Sequence, residues 1–330
     1  MPLVHVTAFD DRRLDHYRSL KLPWTSRRLG VFIVEGEKLV RRLLSSGLQV
    51  HSVLAGEHFL AHAALELPDD VMTIVVPDRL LQEIVGFKFH RGVLACGLRA
   101  TGRGKSPDLE NVLSRVGIDE TKSGVHEHDK ISGGTGYSSA LLGRESTSGT
   151  GEASGTRPED NGVTEDKGGG RHTIVVCVDI HDPTNLGTIL RTAEAFGVAA
   201  VVLGGNCADP WSRRVLRVSM GSPLQLPLVC SDKLGDDLVR LRRRFHMTLL
   251  AAVAGGAAEP LERCTHPGRL AILLGNESDG LRDEWIRLCD ACVTIPMQPR
   301  ADSLNVAVAT GILLHHFCSP RTLNERPPCG

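Results

Sequence analysis

The sequence predicts an α/β protein built on parallel sheet, and three observations predict it. Short continuous apolar runs of strand length recur at Thr173–Val178, Ala199–Leu203, Leu249–Val253, Leu270–Leu274 and Cys292–Ile295, with helical stretches between them. Runs without polar alternation suit strands buried on both faces, and strand–helix–strand order suits parallel βαβ units. Polar loops follow the strands at their carboxyl ends, the place where parallel sheets collect ligands. At 330 residues, 41% hydrophobic and 23% charged, the chain is long enough for two cores. It holds no apolar run of the roughly 18–20 residues that a membrane helix requires.

The first hundred residues read as a compact α/β unit. Val31–Val34 is a short apolar run closing on Glu35-Gly36, and Glu37–Ser46 then places Leu39, Val40, Leu43 and Leu44 at helical spacing until Gly47 stops it. Val50–Leu54 and Val71–Val76 read as strands. Pro77-Asp78 starts a helix whose apolar face is Leu80, Leu81, Ile84 and Val85, and His90–Ala95 closes the unit.

Composition then changes. About a quarter of residues 117–170 are glycine, interspersed with Ser, Thr, Asp and Glu, without helical or strand period. Such a stretch cannot bury enough apolar area to offset its ordering entropy, so residues 106–170 are expected to be a disordered acidic linker between units 1–105 and 171–330. Its twelve acids against six bases conceal two mildly basic flanks (15 bases to 11 acids before it, 17 to 16 after) inside a net charge of −1. A near-neutral total therefore does not exclude a nucleic-acid partner.

Three loops of the last unit concentrate chemistry. Asp182-Pro183-Thr184-Asn185-Leu186-Gly187 opens a helix, where free N–H groups and the dipole favour anions, and Arg191 follows about a turn and a half on. Leu274-Gly275-Asn276-Glu277-Ser278-Asp279-Gly280-Leu281 ends a buried strand in an amide and a carboxylate, which need partners. Ile295-Pro296-Met297 leads to Ser303-Leu304-Asn305-Val306, with Ser303 as the expected cap of a final helix reaching Phe317. Each loop also has a plain reading: a cap, a packing glycine, a solvated charge.

In order and spacing, however, these loops resemble the SpoU (TrmH-type) class of SPOUT RNA methyltransferases. Asn185, Gly187 and Arg191 match N-x-G-x-x-x-R; Leu274, Gly275, Glu277, Gly280 and Leu281 match L-G-x-E-G-x-G-L; Ile295-Pro296-Met297 and Ser303–Val306 match I-P-M…S-L-N-V. Ser278 departs from the family's glycine. Residues 209–221 also look like the family, and 17–100, with Phe32-Ile33-Val34-Glu35-Gly36-Glu37, more weakly resemble its L30e-like RNA-binding domain. The resemblance implies a SPOUT-type parallel sheet with a deep C-terminal trefoil knot, a homodimer, and S-adenosyl-L-methionine held by Gly275, Ile295 and Leu304 with Asn276 and Gly204 close by. It implies catalytic roles for Asn185, Arg191, Glu277 and Asn305. A guanidinium stays protonated, so Arg191 is expected to clamp phosphate and ribose and stabilise a nascent alkoxide rather than act as base.

Basic residues Arg213, Arg214 and Arg217 on one helix, with Arg27, Arg28, His90 and Arg91 in the first unit, are candidate RNA contacts; Arg240, Arg242, Arg243 and Arg244 form a second basic run. Other patterns fail. Gly102-Arg103-Gly104-Lys105-Ser106 resembles a P-loop tail but has Arg99 where the leading glycine belongs. Cys289-x-x-Cys292 has no second pair, His315-His316 has no metal-ligand partners at useful spacing, and no G-x-G-x-x-G opens a helix after a strand. The expectation is a 2′-O-ribose methyltransferase of structured RNA, with rRNA ahead of tRNA as substrate. The competing class is a non-catalytic RNA-binding or assembly factor on the same fold. Neither a metal nor a membrane is expected. The odd, scattered cysteine set and an N-terminus unlike a secretory leader suggest a reducing compartment, the cytoplasm, or an organelle for a eukaryotic source.

Overall fold

A computed structural model describes residues 3–18, 29–62, 65–86, 91–99, 108–120 and 171–319. Arg27, Arg28 and His90 lie outside the described residues, as do 121–170 of the expected linker. The first domain is a five-stranded mixed sheet of β1 (Leu3–His5), β2 (Val31–Glu35), β3 (Val50–Gly56), β4 (Met72–Val76) and β5 (Val93–Leu98), ordered β1-β4-β3-β5-β2. β5 runs antiparallel to both β2 and β3, while β4 runs parallel to β1 and β3. The three-residue β1 at one edge carries no long apolar run and was not legible as a strand.

The second domain is the expected all-parallel sheet: β6 (His172–Cys177), β7 (Ala200–Gly204), β8 (Leu228–Ser231), β9 (Thr248–Ala252), β10 (Glu259–Pro260), β11 (Arg269–Leu274) and β12 (Ala291–Thr294), ordered β10-β12-β9-β11-β6-β7-β8. Its two faces are both covered. One core contains Val175, Leu190, Leu250 and Leu314; the other contains Val176, Val202, Leu238 and Leu273. This double burial is the physical reason the strands read as unbroken apolar runs.

One boundary needs correction. Leu109–Arg115 is a helix within the expected linker, and its Leu109, Val112 and Leu113, with Ile118, pack into the second of those cores. Leu109, Val112 and Leu113 at helical spacing, with Ile118 just beyond the helix, bury enough apolar surface to offset the cost of ordering this stretch.

The two domains meet on the helix Arg213–Val218, which lies against β2 on one side and the helix Pro183–Ala195 on the other. Leu216 and Leu224 of the second domain are buried in a core of the first, with Phe32, Leu39 and Leu43. Full burial is worth about 1.5–3 kcal/mol for each such leucine, enough to hold the domains together. Phe32 packs on Trp211 with ring centroids 4.7 Å apart. Arg99 grips Asp209 with two hydrogen bonds of 3.1 and 2.7 Å, and Arg42 pairs with Glu194. Glu35, only 4% exposed, is paired with Arg213. Arg213→Ala is expected to lower stability by about 3 kcal/mol, because it leaves a buried carboxylate without its guanidinium. Chemical denaturation measures this; a wild-type midpoint would show that water solvates Glu35 instead.

Candidate active site

Strand order builds the site. β6 and β11 are neighbours in register, with Leu274 opposite Cys177, so the loops leaving their carboxyl ends lie side by side. The loop after β6 enters the helix Pro183–Ala195; the loop after β11 is the Gly275–Leu281 turn. β12 joins through β9, which brings the Ile295–Asn305 segment to the same edge.

Asp182, not Asn185, caps the helix, accepting from the backbone N–H groups of Thr184 (2.5 Å) and Asn185 (3.0 Å), with Pro183 at its first position. These donors, the Asn185 N–H foremost, hold the Asp182 carboxyl below the usual range. A lowered folded-state pKa contributes stability above the unfolded-state value, and that contribution is lost as pH falls through the carboxylate range. Asp182→Asn is therefore expected to resist acid unfolding better than the parent at low pH, since it caps without titrating. Asp182→Ala is expected to cost about 1 kcal/mol at neutral pH. Thermal melts from pH 3 to 7 check both; parallel curves for parent and D182N would refute the carboxylate's role.

With the cap satisfied by Asp182, the Asn185 side chain is free to work. Its Nδ2 donates to Glu277 Oε1, and its Oδ1 accepts from Asn305 Nδ2 at 3.0 Å. Asn305, rather than the expected Ser303, caps the helix Val306–Cys318, its Oδ1 accepting from the N–H groups of Ala307 (2.9 Å) and Val308 (3.3 Å). One chain of side-chain hydrogen bonds thus spans all three motifs, Asn305 to Asn185 to Glu277. A carboxylate only accepts, so Glu277 sets the Asn185 amide with its nitrogen toward Glu277 and its oxygen toward Asn305.

Beside this chain lies a cavity of about 490 Å³, lined by Gly275, Asn276, Glu277, Ile295, Leu304 and Met297 among others. Four of the five expected cofactor residues are there. Gly204 is not: it ends β7 two strands from β11, where the Leu234 side chain and the Cys177 carbonyl approach it. Asn276 folds the loop, its Oδ1 accepting from the N–H groups of Ser278 (2.9 Å) and Asp279 (2.7 Å). The left-handed residue of this turn is Gly280 (φ 64°), so Ser278 is accommodated where the family has glycine. A Cβ at Gly275 would overlap the backbone of Gly280 and Leu281.

Arg191 does not join the hydrogen-bonded chain. It lies about 9 Å along the helix from Asn185 at 1.5 Å per residue, on the face that also carries Thr184 and Thr188. It is exposed, and no hydrogen bond or ion pair engages its guanidinium among the described residues. Helix Arg213–Val218 does not present its arginines as one solvated row. Arg213 turns to Glu35, Arg214 reaches Thr184 Oγ1 (2.8 Å) from Nη2, and Arg217 is exposed. Arg91 donates to the Glu35 carbonyl at 3.2 Å. In the second basic run, Arg240, Arg242 and Arg244 pair with Asp237, Asp290 and Glu110, which marks them as structural. The cysteines behave as packing residues: burial pushes the Cys289 thiol up to about 12, and its Sγ donates to the Trp285 carbonyl. His316 meets the Cys264 carbonyl at 2.7 Å.

Sequence reasoning missed two residues that make the site: Asp182 as the cap that frees Asn185, and Thr184 as the contact of Arg214. The first was legible as Asp-Pro at a helix start; the second depends on a residue thirty positions away.

Residues 172–315 match the family model described as the SpoU rRNA Methylase family. Over 318 residues the chain is 28% identical to an uncharacterized tRNA/rRNA methyltransferase of Mycobacterium tuberculosis, covering 93% of this chain and 88% of that protein. It is 34% identical over 158 residues to the 23S rRNA (guanosine-2′-O-)-methyltransferase RlmB of Xylella fastidiosa, covering 48% of this chain and 63% of RlmB. The crystal structure of an AdoMet-bound rRNA methyltransferase from Sinorhizobium meliloti superposes with a TM-score of 0.67 at 23% identity, covering 96% of this chain and 97% of that one. That likeness extends the shared fold over both domains. With all three motifs assembled at one sheet edge and matched by the family model, residues 172–315 are a methylase domain of the SpoU family.

Proposed function

We propose that this protein methylates a ribose 2′-hydroxyl in structured RNA, with S-adenosylmethionine as methyl donor and ribosomal RNA as the favoured substrate. The observation that carries it is the Asn305–Asn185–Glu277 hydrogen-bonded chain beside the 490 Å³ cavity. The cavity suits the cofactor: its floor is backbone at Gly275, whose missing Cβ leaves the turn closed against Gly280, and its walls at Ile295, Met297 and Leu304 are apolar. When bound, S-adenosylmethionine supplies an electrophilic methyl on a sulfonium. Gly275, Asn276, Ile295 and Leu304 would hold it.

The residues supply position and charge. A ribose hydroxyl is a poor nucleophile, so much of the rate comes from holding it in line with the methyl. Asn185, fixed by Glu277 on one side and Asn305 on the other, holds the loop that faces the cavity in one arrangement. Arg191 stabilises the oxygen as its proton leaves. As an exposed guanidinium without a hydrogen-bond or ion-pair partner among the described residues, Arg191 suits a site completed by a second copy. Val308 (53% exposed) and Ile312 (38%) put an apolar pair one turn apart on the helix beside its own, consistent with a homodimer burying that face. The reading includes an L30e-like RNA-binding role for the first domain, a trefoil knot where the Gly275–Leu281 and Ile295–Asn305 segments crowd one cavity, and a cytoplasmic setting. No described helix is long and apolar enough to cross a membrane.

The test is transfer of labelled methyl from S-adenosylmethionine to total RNA, followed by mapping of the modified nucleotide. A label on a ribose 2′-oxygen of rRNA is the expected result. Label on tRNA would move the substrate, label on a base would overturn the chemistry, and cofactor binding without any transfer would favour an assembly factor.

A further inference from the structure

A second cavity, distinct from that of the cofactor, opens between the two domains. It is a cleft of about 930 Å³ at their junction, walled by Gly36, Lys38 and Arg91 from the first domain and by Arg214, Arg217 and Met220 from the second. Its charge is one-sided once pairing is counted. Two carboxylates line it, and each is engaged: Glu35 by Arg213, and Glu37 by Arg41 at 2.7 Å. Lys38, Arg91, Arg214 and Arg217 also line it, and none of the four pairs with a carboxylate among the described residues. This contrasts with the Arg240–Arg244 run, where acids neutralise three of four cations. The cleft therefore concentrates unneutralised positive charge in a chain whose total is −1.

The cleft also leads to the site. Arg214 lines it and at the same time donates two hydrogen bonds, 3.1 and 2.8 Å, to Thr184 Oγ1, the residue before Asn185. Beneath it, the helix Arg213–Val218 touches the helix of Asn185 closely enough that a Cβ on Gly187 would come within 2.8 Å of Val218 Cβ. A polyanion lying in the cleft would reach the mouth of the site at Thr184.

We propose that this interdomain cleft is a backbone subsite for the RNA flanking the target nucleotide, its phosphates held by Lys38 and Arg91 from one domain and Arg214 and Arg217 from the other. The subsite rests on the RNA-methylation reading and deepens it: the RNA is gripped by both domains at once. Contacts to phosphate carry no sequence information, so the subsite positions the strand and leaves nucleotide choice to other contacts. Arg213 is a positioning residue here, since its pair with Glu35 fixes one domain wall against the other.

The experiment measures binding of the full chain to polyuridylic acid and to a poly(A)·poly(U) duplex across a KCl series. Each of Lys38→Ala and Arg217→Ala is expected to weaken binding roughly fivefold at low salt and to reduce the log–log salt slope by about 0.7–0.9. Cofactor affinity, measured by calorimetry, stays at the parent value in both. Arg243→Ala, an exposed cation outside the cleft, is expected to change neither slope nor affinity. Unchanged slopes in both cleft variants, or an equal effect of Arg243→Ala, would overturn the subsite. Flattened slopes in a protein that transfers no methyl to RNA would support the cleft while refuting the methylation reading. Active methylation with cleft variants indistinguishable from the parent in slope and KM would do the reverse.

Discussion

Arg191→Ala is expected to lower methyl transfer by about 10²–10³-fold, the range seen when one preorganised donor to a developing oxyanion is removed. The fold should not notice. Arg191 is exposed and no hydrogen bond or ion pair among the described residues holds its guanidinium, so the stability change should fall within about 0.5 kcal/mol. Cofactor affinity should also be kept, because Arg191 does not line the cavity. The separation is what makes the result diagnostic. Labelled methyl transfer reports the loss, thermal melting and calorimetry report what is kept, and near-normal turnover would remove Arg191 from the mechanism. Arg191→Lys should recover only part of the rate, since an ammonium cannot present the planar fork of the guanidinium.

Gly275→Ala is expected to weaken cofactor binding by about 10- to 100-fold in Kd, by a different route. The added Cβ overlaps the backbone of Gly280 and Leu281, and backbone cannot swing aside as a side chain can. The turn must open, which carries away the Asn276 hydrogen bonds to Ser278 and Asp279 and displaces Glu277 from Asn185. Over-packing of this kind costs about 1–3 kcal/mol, so the domain should still fold at moderate temperature. Calorimetry checks the loss; retained affinity would mean that the cofactor sits elsewhere. The two variants together test the second copy. If Arg191 serves its partner's cavity, mixing inactive Arg191→Ala and Gly275→Ala chains restores transfer in the heterodimer, where one intact cavity meets one intact arginine. If Arg191 serves its own cavity, the mixture stays inactive.

Much of this was legible in the residues. The strands of the second domain were visible because both faces of the sheet are covered, which removes every polar position from runs such as Ile174–Val178 and Leu270–Leu274. The motif loops were visible because they follow those strands directly. The helix at Leu109–Arg115 was hidden by its surroundings: averaged with a glycine-rich neighbour, three apolar residues at helical spacing lost their signal. Ser303 was the expected cap because it precedes the final apolar stretch, but the helix starts at Val306 and Asn305 takes that place.

What the sequence by itself determined was the class of fold, the edge of the sheet where chemistry gathers, and the partition of charge into an acidic middle stretch and two mildly basic flanks. These follow from local patterning, in which each residue's neighbours along the chain carry the information. Only the tertiary structure decided who meets whom. Asn185 binds Glu277 across 92 residues and Asn305 across 120, because β11 lies beside β6 and β12 reaches the same edge through β9. Arg213 is a structural ion pair, while its near neighbours Arg214 and Arg217 face a cleft, because Glu35, 178 residues away, sits opposite one of them and not the others. Strand order and charge pairing are set by crossovers and domain docking, and neither leaves a period in the sequence.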